Sequence, residues 1–265
     1  MNNSDHSWRK YGEMDPYFGV ISDPKFERKN LNDESVKDFF RGGEGYVEAL
    51  FETLHDHASL ASTPLQALEY GCGVGRILIP LAKRCGHVTG ADISEGMLKE
   101  AEENCRVRHI SNVAFVQAED ALSAPRGSFD LIHSFIVFQH IAPARGIKIL
   151  SRLIDLLFAN GVAVLHLMYL RDVSALKGFV DWARARSILV HSTVNLVKGH
   201  PINRPLMQMN AYDLNRVFAV FQQKKCHVLY VDFTNHGGYC GAIFYIQRKT
   251  LKLNSTVGLG QLGRI

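Results

Sequence analysis

Two carboxylates and three glycines carry the chemistry most legible in this chain. Glu69 stands two residues ahead of Gly71-Cys72-Gly73-Val74-Gly75, and Asp92 lies beyond them. A short apolar run, Gln66 to Tyr70, stops at the glycines and an apolar-periodic stretch follows at once, which reads as strand, loop and helix. A second short strand, His87 to Ala91, ends on Asp92. That acid falls about 20 residues past the first glycine, where nucleotide-binding α/β folds set a carboxylate on ribose hydroxyls.

The glycine spacing argues against a dinucleotide. The pyrophosphate fingerprint is GxGxxG, whereas the glycines here fall as GxGxG with Arg76 in the sixth position. Glu69, at the strand end facing the ligand, would repel a pyrophosphate and attract an ammonium or sulfonium cation. On these residues the chain resembles the class I S-adenosylmethionine (SAM)-dependent methyltransferases. Their first motif, an acid two positions ahead of GxGxG, is matched by Glu69, Gly71, Gly73 and Gly75, and their ribose acid by Asp92. The resemblance is specific over Leu65 to Leu157. It implies SAM as cofactor and S-adenosylhomocysteine (SAH) as product, held at the glycine turn with Cys72 and by Ile93 and Met97 after the second strand. It also implies Asp120 on the adenine amino group with Ala118, Glu119 and Ala121 nearby, and Ser134 and Phe135 at the methionyl and sulfonium end. An aromatic of the N-terminal arm, among Tyr17, Phe18 and Phe39, is expected to cover the cofactor.

Composition sets the outer limits. At 265 residues with 46% hydrophobic content the chain can fill one large α/β core with an appendage. A net charge of +4 without a lysine or arginine block demands neither nucleic acid nor an anionic membrane as partner. No apolar run reaches the ~18 residues of a membrane span, and the opening MNNSDHSWRKYGEMD lacks the apolar stretch of a signal peptide. Five cysteines without zinc-type spacing agree with a reducing compartment, so a cytoplasmic location is expected.

The elements that must position these residues form, by pattern, a Rossmann-like doubly wound, mostly parallel seven-stranded sheet. It has an antiparallel hairpin at its C-terminal end and helices on both faces, over residues 61–247. Residues 1–60 form an arm, with a short helix opened by Asp33-Glu34 and broken at Gly42-Gly43, then a second helix from Glu44 packed on the sheet's edge. Ser94 caps a helix to about Arg108, and Asn112 to Gln117 and Ser128 to Val137 are the third and fourth strands. Asp130, at the far end of the fourth strand, is read as structural. Pro143 opens a helix that Asn160-Gly161 ends, and Val162 to Tyr169 is a buried strand. An insertion, 170–205, then reads as one helix over Arg171 to Leu189 with an irregular continuation to Pro205, and is the candidate substrate wall. A helix from Tyr212 to Gln223 and strands Cys226 to Phe233 and Tyr239 to Gln247 follow, with a mobile tail over 248–265.

Methyl transfer to a hydroxyl needs in-line placement and a proton acceptor. His140, in the FQHI run just after the fourth strand, is the candidate general base; a loop histidine bonded to backbone is the alternative. His166 reads as a core histidine, and Tyr169, Arg204, Tyr212 and His236 could face the acceptor. No spacing points to a metal. Ser134-Phe135-Ile136-Val137 lacks the acid or Asn followed by Pro-Pro-aromatic that base N-methylating enzymes carry there, and no basic groove is interleaved with aromatics. A small-molecule or saccharide acceptor, methylated at oxygen, is therefore expected. An NAD(P)-dependent reductase or epimerase and a non-catalytic SAM-binding protein are the alternatives.

Overall fold

A computed structural model describes residues 4–58 and 63–249. The seven-stranded sheet runs in the order β3-β2-β1-β4-β5-β7-β6, built from β1 (Gln66–Tyr70), β2 (His87–Asp92), β3 (Val113–Gln117), β4 (Phe129–Ser134), β5 (Leu157–Arg171), β6 (Cys226–Asn235) and β7 (Tyr239–Arg248). The first five strands are parallel, and β7 runs antiparallel to both β5 and β6. Strand order reverses between β1 and β4, which opens a crevice at their carboxyl ends, where open α/β sheets bind ligands.

Side-chain alternation divides the core in two. On one face, Ala67, Leu131, Val162 and Val164 of the strands share an apolar cluster with α3 (Asp33–His57), α4 (Leu78–Ala82) and α5 (Glu95–Val107). On the other, Leu68, Ile132, Ala163 and Leu165 pack with α6 (Ala118–Ser123), α7 (Pro143–Leu156) and α10 (Leu214–Gln223). Ser94 caps α5 by accepting from Met97 N, and Asp130 accepts from the Leu65 and Gln66 amides, pinning the chain as it enters β1.

Several elements differ from the sequence pattern. The arm begins with two helices the pattern did not disclose, α1 (Ser4–Met14) and α2 (Pro16–Val20). α3 is one continuous helix through Gly42 and Gly43. Those glycines do not break it; a Cβ on Gly43 would collide with the Arg76 carbonyl oxygen, so the residue is there for close approach. α3 also lies over a face of the sheet rather than on its edge, since Phe39, Val47, Leu50 and Leu54 form a stripe long enough to cover several strands. α7 stops at Leu156, and Asn160, with φ 65°, lies within β5 instead of ending the helix. The insertion holds two helices, α8 (Ala175–Arg186) and α9 (Ile188–Val197), because Ser187 breaks the first and caps the second by accepting from Val190 N. The expected tail lies, from residue 250 on, outside the described residues.

Candidate active site

The glycine turn leaves β1 with Gly71 at φ 83° and Gly73 at φ 53°, a left-handed path that side chains other than glycine rarely adopt. It is closed by Asp92 at the end of β2, whose Oδ2 accepts from Gly73 N at 2.9 Å and Oδ1 from Ser94 N at 2.9 Å. Around this turn lies a cleft of about 120 Å³, walled by Tyr70, Gly71, Gly73, Asp92, Ile93 and Met97 and, from after β4, by Phe135, Ile136, Val137 and His140. Trp8, Gly19 and Val20 of the arm close it from above. Burial raises the Asp92 carboxyl above the usual range, and the Ser94, Gly73 and Ile93 amides oppose that shift.

Of the residues singled out in the sequence, Gly71, Gly73, Asp92, Ile93, Met97, Ala118, Phe135 and His140 are brought together on this wall. The others are not. Glu69 does not face the cleft: alternation along β1 turns Tyr70 toward it and Glu69 away, toward α3. There Glu69 Oε1 lies 3.5 Å from His133 Nδ1, and His133 Nε2 lies 2.9 Å from the Tyr46 hydroxyl. Burial raises the Glu69 carboxyl despite His133. Cys72 is buried against β2 with its thiol pushed well up by burial, and Gly75 packs against Ala101 of α5. Glu119 and Asp120 are exposed on α6 and Ala121 is core, because a helix begins at Ala118 and only that residue reaches the cleft. Ser134 donates to Tyr70 O at 2.8 Å and so clamps β4 to β1. Tyr17 donates to Glu100 and Asn104, each at 3.0 Å, hooking the arm to α5, and Phe39 is enclosed among Tyr17, Phe26 and Phe40.

His140 is buried with a fixed tautomer. Its Nδ1 donates to Gln208 O at 2.7 Å, which leaves Nε2 as the acceptor, with Gln139 Nε2 3.3 Å away. Burial pushes its pKa down to about 4, with the Gln208 bond opposing, so the ring is neutral near pH 7. Trp8 lies 4.7 Å from it, ring centre to ring centre. Beside it Ile136 has φ 59°, a costly conformation for a β-branched residue. His166 is a core histidine, bonded through Nε2 to Thr234 Oγ1 at 2.9 Å, its pKa lowered by burial to about 3.

A second chamber of about 850 Å³ opens outward and shares Gly19, Val20, Ile136 and His140 with the cleft. Its outer wall is the insertion, with Arg171, Lys177, Trp182, Arg184 and Lys198. Arg204 and His236 also line it, but Tyr169 does not, and Tyr212 is buried with its hydroxyl donating to Phe138 O and Ile141 O. The sequence left Trp8, Val20, Tyr70, Ile136 and Arg145 unassigned; of these only the aromatics among the arm's charges were a signal.

Residues 67–161 match a family described as a methyltransferase domain. The malonyl-[acyl-carrier protein] O-methyltransferase of Paenibacillus is 36% identical over 89 residues, which is 32% of this chain and 32% of that protein. The 23S rRNA (uracil(1939)-C(5))-methyltransferase RlmD of Haemophilus parainfluenzae is 32% identical over 32% of this chain and 19% of its own length. The chain thus spans a third or less of these relatives. The crystal structure of magnesium protoporphyrin IX methyltransferase from Synechocystis with SAH superposes with a TM-score of 0.59 at 19% identity, over 93% of this chain and 100% of that one, which is likeness of fold. The glycine turn, the acid that closes it and the strand order agree with that match: residues 67–161 are similar to a methyltransferase domain, set in a fold like that of a methyltransferase crystallised with SAH.

Proposed function

We propose that this protein transfers a methyl group from SAM to a small-molecule or saccharide acceptor, at oxygen. The observation that carries the reading is the cleft at the β1/β4 reversal, where backbone free of side chains at Gly71 and Gly73 meets a buried carboxylate, Asp92, and an apolar rim of Ile93, Met97 and Val137. That set fits an adenosyl group: the Asp92 carboxylate would hold ribose hydroxyls and the apolar rim of Ile93, Met97 and Val137 would hold a base. When bound, SAM supplies a methyl already activated by its positive sulfur. The chain supplies position and exclusion of water. The cleft is narrow with the arm seated, below the ~300 Å³ of an ordinary ligand site, so entry requires the arm to move and binding is completed by its return.

In this reading the acceptor enters through the outer chamber, and His140 Nε2, unprotonated near neutral pH, receives the hydroxyl proton at the wall shared by the two cavities. A small acceptor is favoured over nucleic acid by the run after β4, Ser134-Phe135-Ile136-Val137, which lacks the base-methylating pattern, although relatives of the same domain include an RNA-modifying enzyme. No helix among the described residues is long and apolar enough to cross a membrane. The free cysteines support a reducing, cytoplasmic setting. A labelled-methyl transfer screen against hydroxylated metabolites, sugar nucleotides and glycans tests the activity, with SAH and NADH calorimetry beside it. Binding of NADH and not SAH would replace the reading with a reductase.

A further inference from the structure

The outer chamber has a charge imbalance that its own residues do not resolve. Arg171, Lys177, Arg184, Lys198 and Arg204 line it against one carboxylate, Asp181. Two of these cations are neutralised in place: Arg204 by Glu27 at 2.9 Å and Asp15 at 3.6 Å, and Arg171 by Asp181 at 3.0 Å. Arg184 is not. Its Nη2 donates to Asn195 Oδ1 at 3.3 Å, its Nε is buried without a hydrogen-bond partner, and no carboxylate of the described residues pairs with it. The Arg171 Nε is orphaned in the same way. With no carboxylate of the described residues beside it, the Arg184 guanidinium keeps an uncompensated charge at the chamber wall, which a bound anion would neutralise. Lys177 stands 4.6 Å over the Tyr239 ring, and Lys198, at the end of α9, is exposed on the rim with no ion pair among the described residues. Guanidinium and ammonium groups beside flat aromatic surface make a receptor for an acid carried on an apolar body.

We propose that the chamber is an anion-binding acceptor site. It takes a molecule whose carboxylate or phosphate is held by Arg184 with Lys177 and Lys198, and whose apolar or aromatic body lies against Trp182 and Tyr239. The atom to be methylated then points to the shared wall of Ile136 and His140. The assignment of this molecule as the acceptor rests on the methyl-transfer reading; the preference for an anion does not need the cofactor.

Naphthalene-2-carboxylate and naphthalene-2-carboxamide, alike in shape and different in charge, are titrated into the full chain by calorimetry with and without SAH, and phenyl phosphate is titrated to compare the two acid types. The expected result is at least tenfold tighter binding of the carboxylate than of the amide. Arg184→Gln should abolish that preference, and Lys198→Gln, at an exposed position that leaves the fold intact, should reduce it severalfold. Equal affinities, a preference that survives both substitutions, or no binding of either anion overturns the proposal. SAH binding, measured separately in each protein, reports on the methyl-transfer reading alone: its absence beside an intact anion preference removes that reading and not the anion site.

Discussion

Asp92 holds the glycine turn and faces the cleft at once, through two oxygens that accept from Gly73 and Ser94 amides. Asp92→Ala should weaken SAH binding by about 1–3 kcal/mol, roughly five- to 150-fold, and lower the melting temperature, since two backbone donors lose their acceptor. Calorimetry reads the first and a thermal melt the second; an unchanged Kd would detach this carboxylate from the ribose. His140 titrates in the opposite sense to a salt-bridged histidine. Its folded pKa, about 4, lies below the ordinary 6.5, so between those values the unfolded chain binds more protons. Its contribution is present in full above pH 6.5 and is lost as pH falls to about 4, by about 3 kcal/mol at most. The difference between wild type and His140→Gln in urea melts from pH 7 to pH 4 isolates that slope from the opposing effect of Asp92 and Glu69, whose raised carboxyls act the other way. The same shift predicts a rate profile without an acid limb near pH 6 to 7; such a limb would identify another base. At this scale the glycines and Asp92 were legible because their types and spacing are tied to one backbone path. Glu69 was not, because only the pleat of β1 decides which side it faces.

Among the elements, α3 and the arm most clearly separate pattern from packing. Gly42-Gly43 reads as a break because glycine costs a helix about 1 kcal/mol relative to alanine. The helix persists because its apolar stripe is buried against the sheet and because Gly43 lets α3 approach the Arg76 backbone. Gly43→Ala should therefore destabilise the protein by about 1–3 kcal/mol, although alanine is the better helix former, through overpacking against Arg76. Denaturant unfolding checks the sign: a stabilised variant would mean that close approach is not needed there. The arm's first two helices escaped notice because their aromatic residues show no lone periodic stripe; Tyr11, Tyr17 and Phe18 are buried by docking onto the rest of the chain. Likewise Ser187 reads as part of one long helix until its side chain is seen capping α9.

Across the whole molecule, Arg204 ties the insertion to the arm. Its guanidinium meets Glu27 and Asp15, lies 4.2 Å from the Phe18 ring centre, and holds His200 Nδ1 at 2.9 Å. Arg204→Leu should cost about 1–3 kcal/mol, because half-buried Asp15 loses its cation while Glu27 keeps Lys29 at 3.0 Å, and should loosen arm and insertion together. A urea-unfolding double-mutant cycle with Glu27→Leu checks it: the pair should lose clearly less than the sum of the two single variants. The carboxylate-glycine-carboxylate spacing and the alternation of strand and helix patterns determined the seven-stranded α/β sheet and the place of its crevice, because local backbone demands and side-chain periodicity are written residue by residue. Only the tertiary structure decided what stands around that crevice: Trp8 against His140, Glu69 turned to His133, and Arg184 in the outer chamber with no ion pair among the described residues. These are meetings between residues far apart in the chain, set by the pairing of β1 with β4 and by how α1, α8 and α9 dock, and side-chain contacts of that kind leave no period or motif along the sequence.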